Sequence, residues 1–147
     1  MLIPSFLDFV FEGSADGVRV PHAVSVYHVT DPANRQSIRS RGLRPTSEVG
    51  VNPMLAGSID GYDVDGVFVA NAAQALVIAE RQAEEGGVLV YEVYLKKGTV
   101  VRHDDLMPES SLVVPGGVSP RLLKEVSLAD LRRWAALPMG RIDFSSW

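Results

Sequence analysis

The chain has 147 residues, 14 Lys and Arg against 18 Asp and Glu, a formal net charge of -4 and no cysteine. That length suits a single domain, 1–147, which can bury a core without a disulfide or a structural metal. The absence of thiols excludes cysteine nucleophiles and cysteine-ligated zinc and fits a reducing, cytoplasmic compartment, while the acidic balance argues against a general nucleic-acid binder.

At the N-terminus, Phe6-Leu7-Asp8-Phe9-Val10-Phe11 is an apolar patch that suits a strand or a short helix. Met1-Leu2-Ile3-Pro4 lacks the basic start of a secretory signal, and no apolar run approaches the roughly 20 residues that span a bilayer, so no membrane partner is expected. Val24 to Val29 is rich in β-branched and aromatic residues and predicts a strand. Asp31-Pro32 is a helix-start signal, and the helix it opens runs to Arg41, where Gly42 suits a left-handed C-cap, Leu43 folds back on Ile38 and Pro45 blocks continuation.

Residues 46 to 65 hold Gly50, Pro53, Gly57 and Gly61 and predict a long loop. Gly66 to Ala70 reads as a short buried strand, and Asn71 as the cap of a helix with Ala72, Leu76, Ala79 and Ala83 on one face. Val88 to Leu95 is apolar apart from Glu92 and the tyrosine hydroxyls and predicts a strand at the centre of a sheet. Two further strands, Thr99 to Arg102 and Ser111 to Val114, precede a helix from Leu128 to Ala136 capped by Ser127. Strands and helices in this order predict an α+β fold rather than regular βαβ winding.

The chemistry-bearing residues are few. His28 ends a strand just before a helix start, a position that faces either a cleft or a backbone partner. Glu92, the one charge inside its strand, is edge-exposed, paired with an arginine, or part of a site. His103-Asp104-Asp105 lacks the convergent spacing of a zinc site, so no metal is expected, and no phosphate-binding glycine loop or serine nucleophile elbow is present.

Four stretches in order are similar to the ADP-ribosyltransferase fold family. These are Tyr27-His28-Val29-Thr30 with Gly42-Leu43-Arg44-Pro45 after its helix, Gly66-Val67-Phe68-Val69-Ala70 before an alanine-rich helix, Val88 to Val93, and Glu109-Ser110-Ser111-Leu112-Val113-Val114-Pro115. The resemblance covers roughly Val24 to Val126 and is to the branch of the poly-ADP-ribose polymerases, diphtheria-type toxins and RNA 2'-phosphotransferases. It implies a fold of split mixed or antiparallel sheets with flanking helices. It also implies NAD as substrate, and transfer of ADP-ribose to a macromolecular acceptor, protein or nucleic acid, with release of nicotinamide.

By position the resemblance makes His28, Val29, Thr30 and Phe68 contacts of the NAD ribose and nicotinamide, with Arg44 and Tyr62 beside them, and Glu109 or Ser111 the catalytic position. Val29 stands where the family has Gly, Phe68 where it has Tyr, and Ser111 where it has the glutamate. On a continuous strand Glu109 would share the face of Ser111. Without the resemblance, Phe68 is core packing and Glu109 a solvated carboxylate. Two alternatives follow from the departures: a non-catalytic NAD- or ADP-ribose-binding or interaction module of the same fold, and an RNA 2'-phosphotransferase-like enzyme using Arg35, Arg39, Arg44, Arg102 and Arg121. An unrelated α+β interaction protein would instead bury His28 with no cleft beside Phe68.

Overall fold

The computed structural model describes residues 17–45 and 66–147. The apolar patch at Phe6–Phe11 and the loop of residues 46–65, with Tyr62 in it, lie outside the described residues. In chain order the elements are β1 (Gly17–Arg19), β2 (Val24–Thr30), α1 (Arg35–Arg41), β3 (Val67–Ala70), α2 (Ala72–Glu84), β4 (Leu89–Leu95), β5 (Val100–His103), β6 (Ser111–Val114), β7 (Leu123–Val126) and α3 (Leu128–Ala135). The strands form one seven-stranded antiparallel sheet in the order β1-β5-β6-β3-β2-β4-β7, so the chain is α+β.

Pairing strength varies across this sheet. β2 and β4 pair along their whole lengths, from Val24↔Leu95 to Thr30↔Leu89, and β3 pairs with β6 from Val67↔Val114 to Ala70↔Ser111. β2 and β3 meet at Tyr27↔Ala70 alone. The sheet therefore consists of two blocks, β1-β5-β6-β3, within which β5 and β6 pair over two residues, and β2-β4-β7, joined along a thin seam.

Side-chain alternation gives the sheet two apolar faces. One carries Val26, Val69, Val93, Val101 and Leu112, closed by Ile38 of α1, Leu43 and Phe144. The other carries Tyr27, Val29, Ala70 and Val90 beneath Ala72, Ala75 and Ala79 of α2 and Leu131 and Ala135 of α3. Alanines on α2 bring its axis close to the strands. Both faces draw residues from both blocks, so burial joins what backbone pairing barely does.

Three helix starts are capped as their sequences predict. Asp31 accepts from Ala33 N at 2.8 Å, opening a short 3-10 turn, Pro32–Asn34, that leads into α1. Asn71 accepts from Gln74 N at 2.9 Å and Ser127 from Asp130 N at 3.1 Å. Gly42 ends α1 at φ 77°, its N–H donating to Ile38 O at 2.8 Å, and Leu43 joins Ile38 in the core.

Three expectations need correction. The buried stripe of α2 is Ala72, Ala75, Ala79 and Gln82, with Leu76 half-buried against the same cluster and Ala83 exposed; Gln82 turns inward because its Nε2 donates to Thr30 O at 2.7 Å. β4 is not central: it lies one strand from the edge, between β2 and β7. β7 itself was not predicted, because Leu123-Lys124-Glu125-Val126 is short and half charged. The chain after α3, which carried no assignment, runs through two 3-10 turns, Pro138–Arg141 and Phe144–Ser146, and inserts Phe144 fully into the core.

Candidate functional site

A cavity of about 40 Å3 opens at the seam between β2 and β3, under α2. Its walls include Tyr27, His28 and Val29 of β2, Phe68 and Ala70 of β3, Ala75 and Ile78 of α2, Ser111 of β6, and Asp104. It lies where β2 and β3 share the single register pair Tyr27↔Ala70, at the end of β3, so that side chains rather than a backbone ladder line the junction. Space of this size takes a few waters; a cavity near 150 Å3 is needed for a benzene-sized ring.

His28 bridges the junction. Its Nδ1 lies 2.7 Å from the carbonyl oxygen of Phe68. A carbonyl only accepts, so Nδ1 carries the hydrogen, and in the neutral ring Nε2 is left as an acceptor. Burial lowers the pKa of His28 below its ordinary value, partly opposed by the Phe68 hydrogen bond. Neutral imidazole of one fixed tautomer is thus the favoured form. Across the same strand Tyr27 stacks on Trp134, ring centroids 5.9 Å apart, and its hydroxyl is pushed up to about 12 by burial and then by Glu92.

The expected site residues divide into two groups. His28, Val29, Phe68 and Ser111 share the cavity, with Val29 and Ser111 buried. Thr30, Arg44 and Glu109 are not among its walls. Thr30 is buried at the end of β2, where its hydroxyl accepts from Asn34 Nδ2 at 2.8 Å and its carbonyl from Gln82. Arg44 follows Leu43, whose backbone bridges to Val118.

Glu109 does not share a strand face with Ser111, because β6 begins at Ser111 and Glu109 lies in the preceding turn, closed by Ser111 N donating to Met107 O at 2.9 Å. Its side chain is exposed, and its carbonyl accepts from Phe144 N at 2.9 Å, which anchors the C-terminal turn.

The acidic residue among the cavity walls is Asp104. It is 8% exposed, its Oδ1 accepts from Leu106 N at 3.0 Å, and its own N–H donates to Ser111 O at 3.3 Å. The β5–β6 connection folds tightly enough to set it beside Ser111. In the sequence the run His103-Asp104-Asp105 suggests solvated acids around a turn; only the pairing of β5 with β6 brings the middle one inward. Its neighbour His103 is engaged elsewhere, its Nε2–H donating to Phe144 O at 2.8 Å.

Glu92 is half-buried and accepts from Ser25 Oγ at 2.7 Å. Among the described residues no three His, Cys, Asp or Glu side chains cluster as a metal site, and no helix is long and apolar enough to cross a membrane. No family model matches the chain, and no curated protein or solved structure matches it significantly.

Proposed function

We propose that the seam between β2 and β3 is the nicotinamide-ribose end of an NAD site, and that the protein is an NAD-dependent ADP-ribosyltransferase acting on a macromolecular acceptor. One observation carries this reading: His28, Phe68 and Ser111, from three separate motifs, line one cavity together with the buried residue Asp104. The sheet's thin seam supports an ADP-ribosyltransferase-like split sheet as the finer description of the fold.

In this reaction the bond between ribose C1' and the nicotinamide nitrogen breaks, its electron pair leaves with neutral nicotinamide, and an acceptor nucleophile bonds to C1' and loses a proton. Positive charge gathers on the ribose in the transition state, where a desolvated carboxylate stabilises it most. Asp104 has that role, replacing the glutamate that Ser111 lacks. His28 offers Nε2 as acceptor to a ribose hydroxyl, and Phe68 supplies a flat apolar wall for the leaving group. The ring is larger than the present space, so binding requires the walls at the seam to part.

Incubation with labelled NAD and a cell lysate tests the proposal. Nicotinamide release is expected to fall on the order of 100-fold in His28→Ala and in Asp104→Asn, and to stay unchanged in Glu109→Gln. Full turnover in His28→Ala would overturn it.

A second reading, a binding module that holds NAD or ADP-ribose without turnover, is favoured by the small cavity and by buried Val29 at a glycine position. Calorimetry separates the two: binding with no nicotinamide release selects the module, and no nucleotide binding removes both.

A further inference from the structure

Three register partners lie side by side across the sheet: His28 on β2, Tyr91 on β4 and Glu125 on β7. Tyr91 is 4% exposed and, among the described residues, its hydroxyl has no hydrogen-bond partner. Buried phenols are normally satisfied, so this donor calls for a partner that the described residues do not supply. The charged groups acting on it are Glu125, Arg39 and Arg35. Arg35 forks onto Glu125 through Nε at 3.1 Å and Nη2 at 2.9 Å, whereas Arg39 reaches the same carboxylate only at 3.9 Å and is largely exposed. Two guanidinium groups therefore share a single carboxylate next to an unused hydroxyl donor. Guanidinium and hydroxyl donors around a positive excess are what a phosphoryl oxygen anion requires.

We propose that Tyr91, Arg35 and Arg39 form a binding site for a phosphoryl group, one strand away from His28. Tyr91 donates its hydroxyl hydrogen to the anion, Arg39 supplies the mobile charge, and Arg35, held by Glu125, fixes the wall of the site. The phosphoryl group belongs either to the pyrophosphate of a dinucleotide seated at the seam, which rests on the NAD reading above, or to a free phosphate or pyrophosphate, which does not.

Titration of the full chain with inorganic pyrophosphate at fixed ionic strength tests the site. Saturable binding is expected, weakened about tenfold in Tyr91→Phe and in Arg39→Gln. It should be unchanged in Arg132→Gln, which removes the same charge from a remote pair with Glu80. Because no described residue partners the hydroxyl, Tyr91→Phe should be at least as stable to urea as the parent in phosphate-free buffer, so weakened binding cannot be ascribed to misfolding.

A second arm titrates NAD and nicotinamide riboside. If Tyr91→Phe weakens NAD but not the riboside, and pyrophosphate competes with NAD, the group is the dinucleotide's. If pyrophosphate binds and NAD does not, it is a free phosphoryl group and the NAD reading fails alone. No saturable pyrophosphate binding, or equal weakening in Arg132→Gln, would overturn the site.

Discussion

His28 owes its chemistry to one backbone carbonyl. Phe68 O fixes the proton on Nδ1, and the surrounding walls at the seam make the protonated ring costly. The unfolded chain takes up a proton near pH 6.5, whereas the folded chain takes it up only at a lower pH. In the window between those values the unfolded state binds more protons, so stability rises with pH, is complete above the window and is lost as pH falls through it. His28→Asn keeps a donor where Nδ1 stood and does not titrate. The stability difference, parent minus variant, should therefore shrink as pH drops from about 7.5 to about 5, with a slope below about 1.4 kcal/mol per pH unit. Urea unfolding of both proteins at several pH values measures it; a difference that stays flat would remove the burial argument for His28.

At the scale of elements, the end of α1 is the most constrained backbone. Gly42 sits at φ 77°, and a β-carbon there would run into Val118 O and the Pro120 ring, both backbone-bound and unable to yield. Gly42→Ala should cost at least about 2 kcal/mol, from the left-handed φ and the overlap together, read as a lowered urea midpoint; a cost below about 0.5 kcal/mol would contradict that geometry. This helix end was legible in advance because Gly and Pro punctuate it locally, as were the caps Asp31, Asn71 and Ser127, whose side chains bond within their own first turns. β7 and the offset face of α2 were not legible. Each depends on a partner far along the chain, Leu123–Val126 on β4 and Gln82 on Thr30 O. The site divides the same way. His28, Phe68 and Ser111 stand on strands recognisable from their own residues, while Asp104 reaches the cavity only through the β5–β6 pairing.

Over the whole molecule, the thin seam at Tyr27↔Ala70 raises the question of whether the two strand blocks unfold together. Backbone pairing alone would let them separate, since a single register pair contributes little. Side-chain burial argues the other way: Val24 and Val26 share a cluster with Val67, Val69 and Leu112, and Tyr27 shares one with Ala70 and Ala72. Parting the blocks would expose both apolar faces at once, a penalty that scales with the area uncovered. Cooperative unfolding is therefore expected, as for most domains of this size. The chain's two tryptophans report on different places. Trp134 stacks on Tyr27 of the β2-β4-β7 block, and Trp147 packs on Phe144, 4.8 Å between ring centroids, whose backbone is held by Glu109 and His103 beside β5 and β6. In the single-tryptophan variants Trp147→Phe and Trp134→Phe, the fluorescence transition in urea should coincide with the circular-dichroism transition of the same variant. Fluorescence and circular dichroism midpoints separated by more than about 0.5 M in either variant would show that the blocks unfold in turn, and that the seam rather than the shared cores sets the cooperativity.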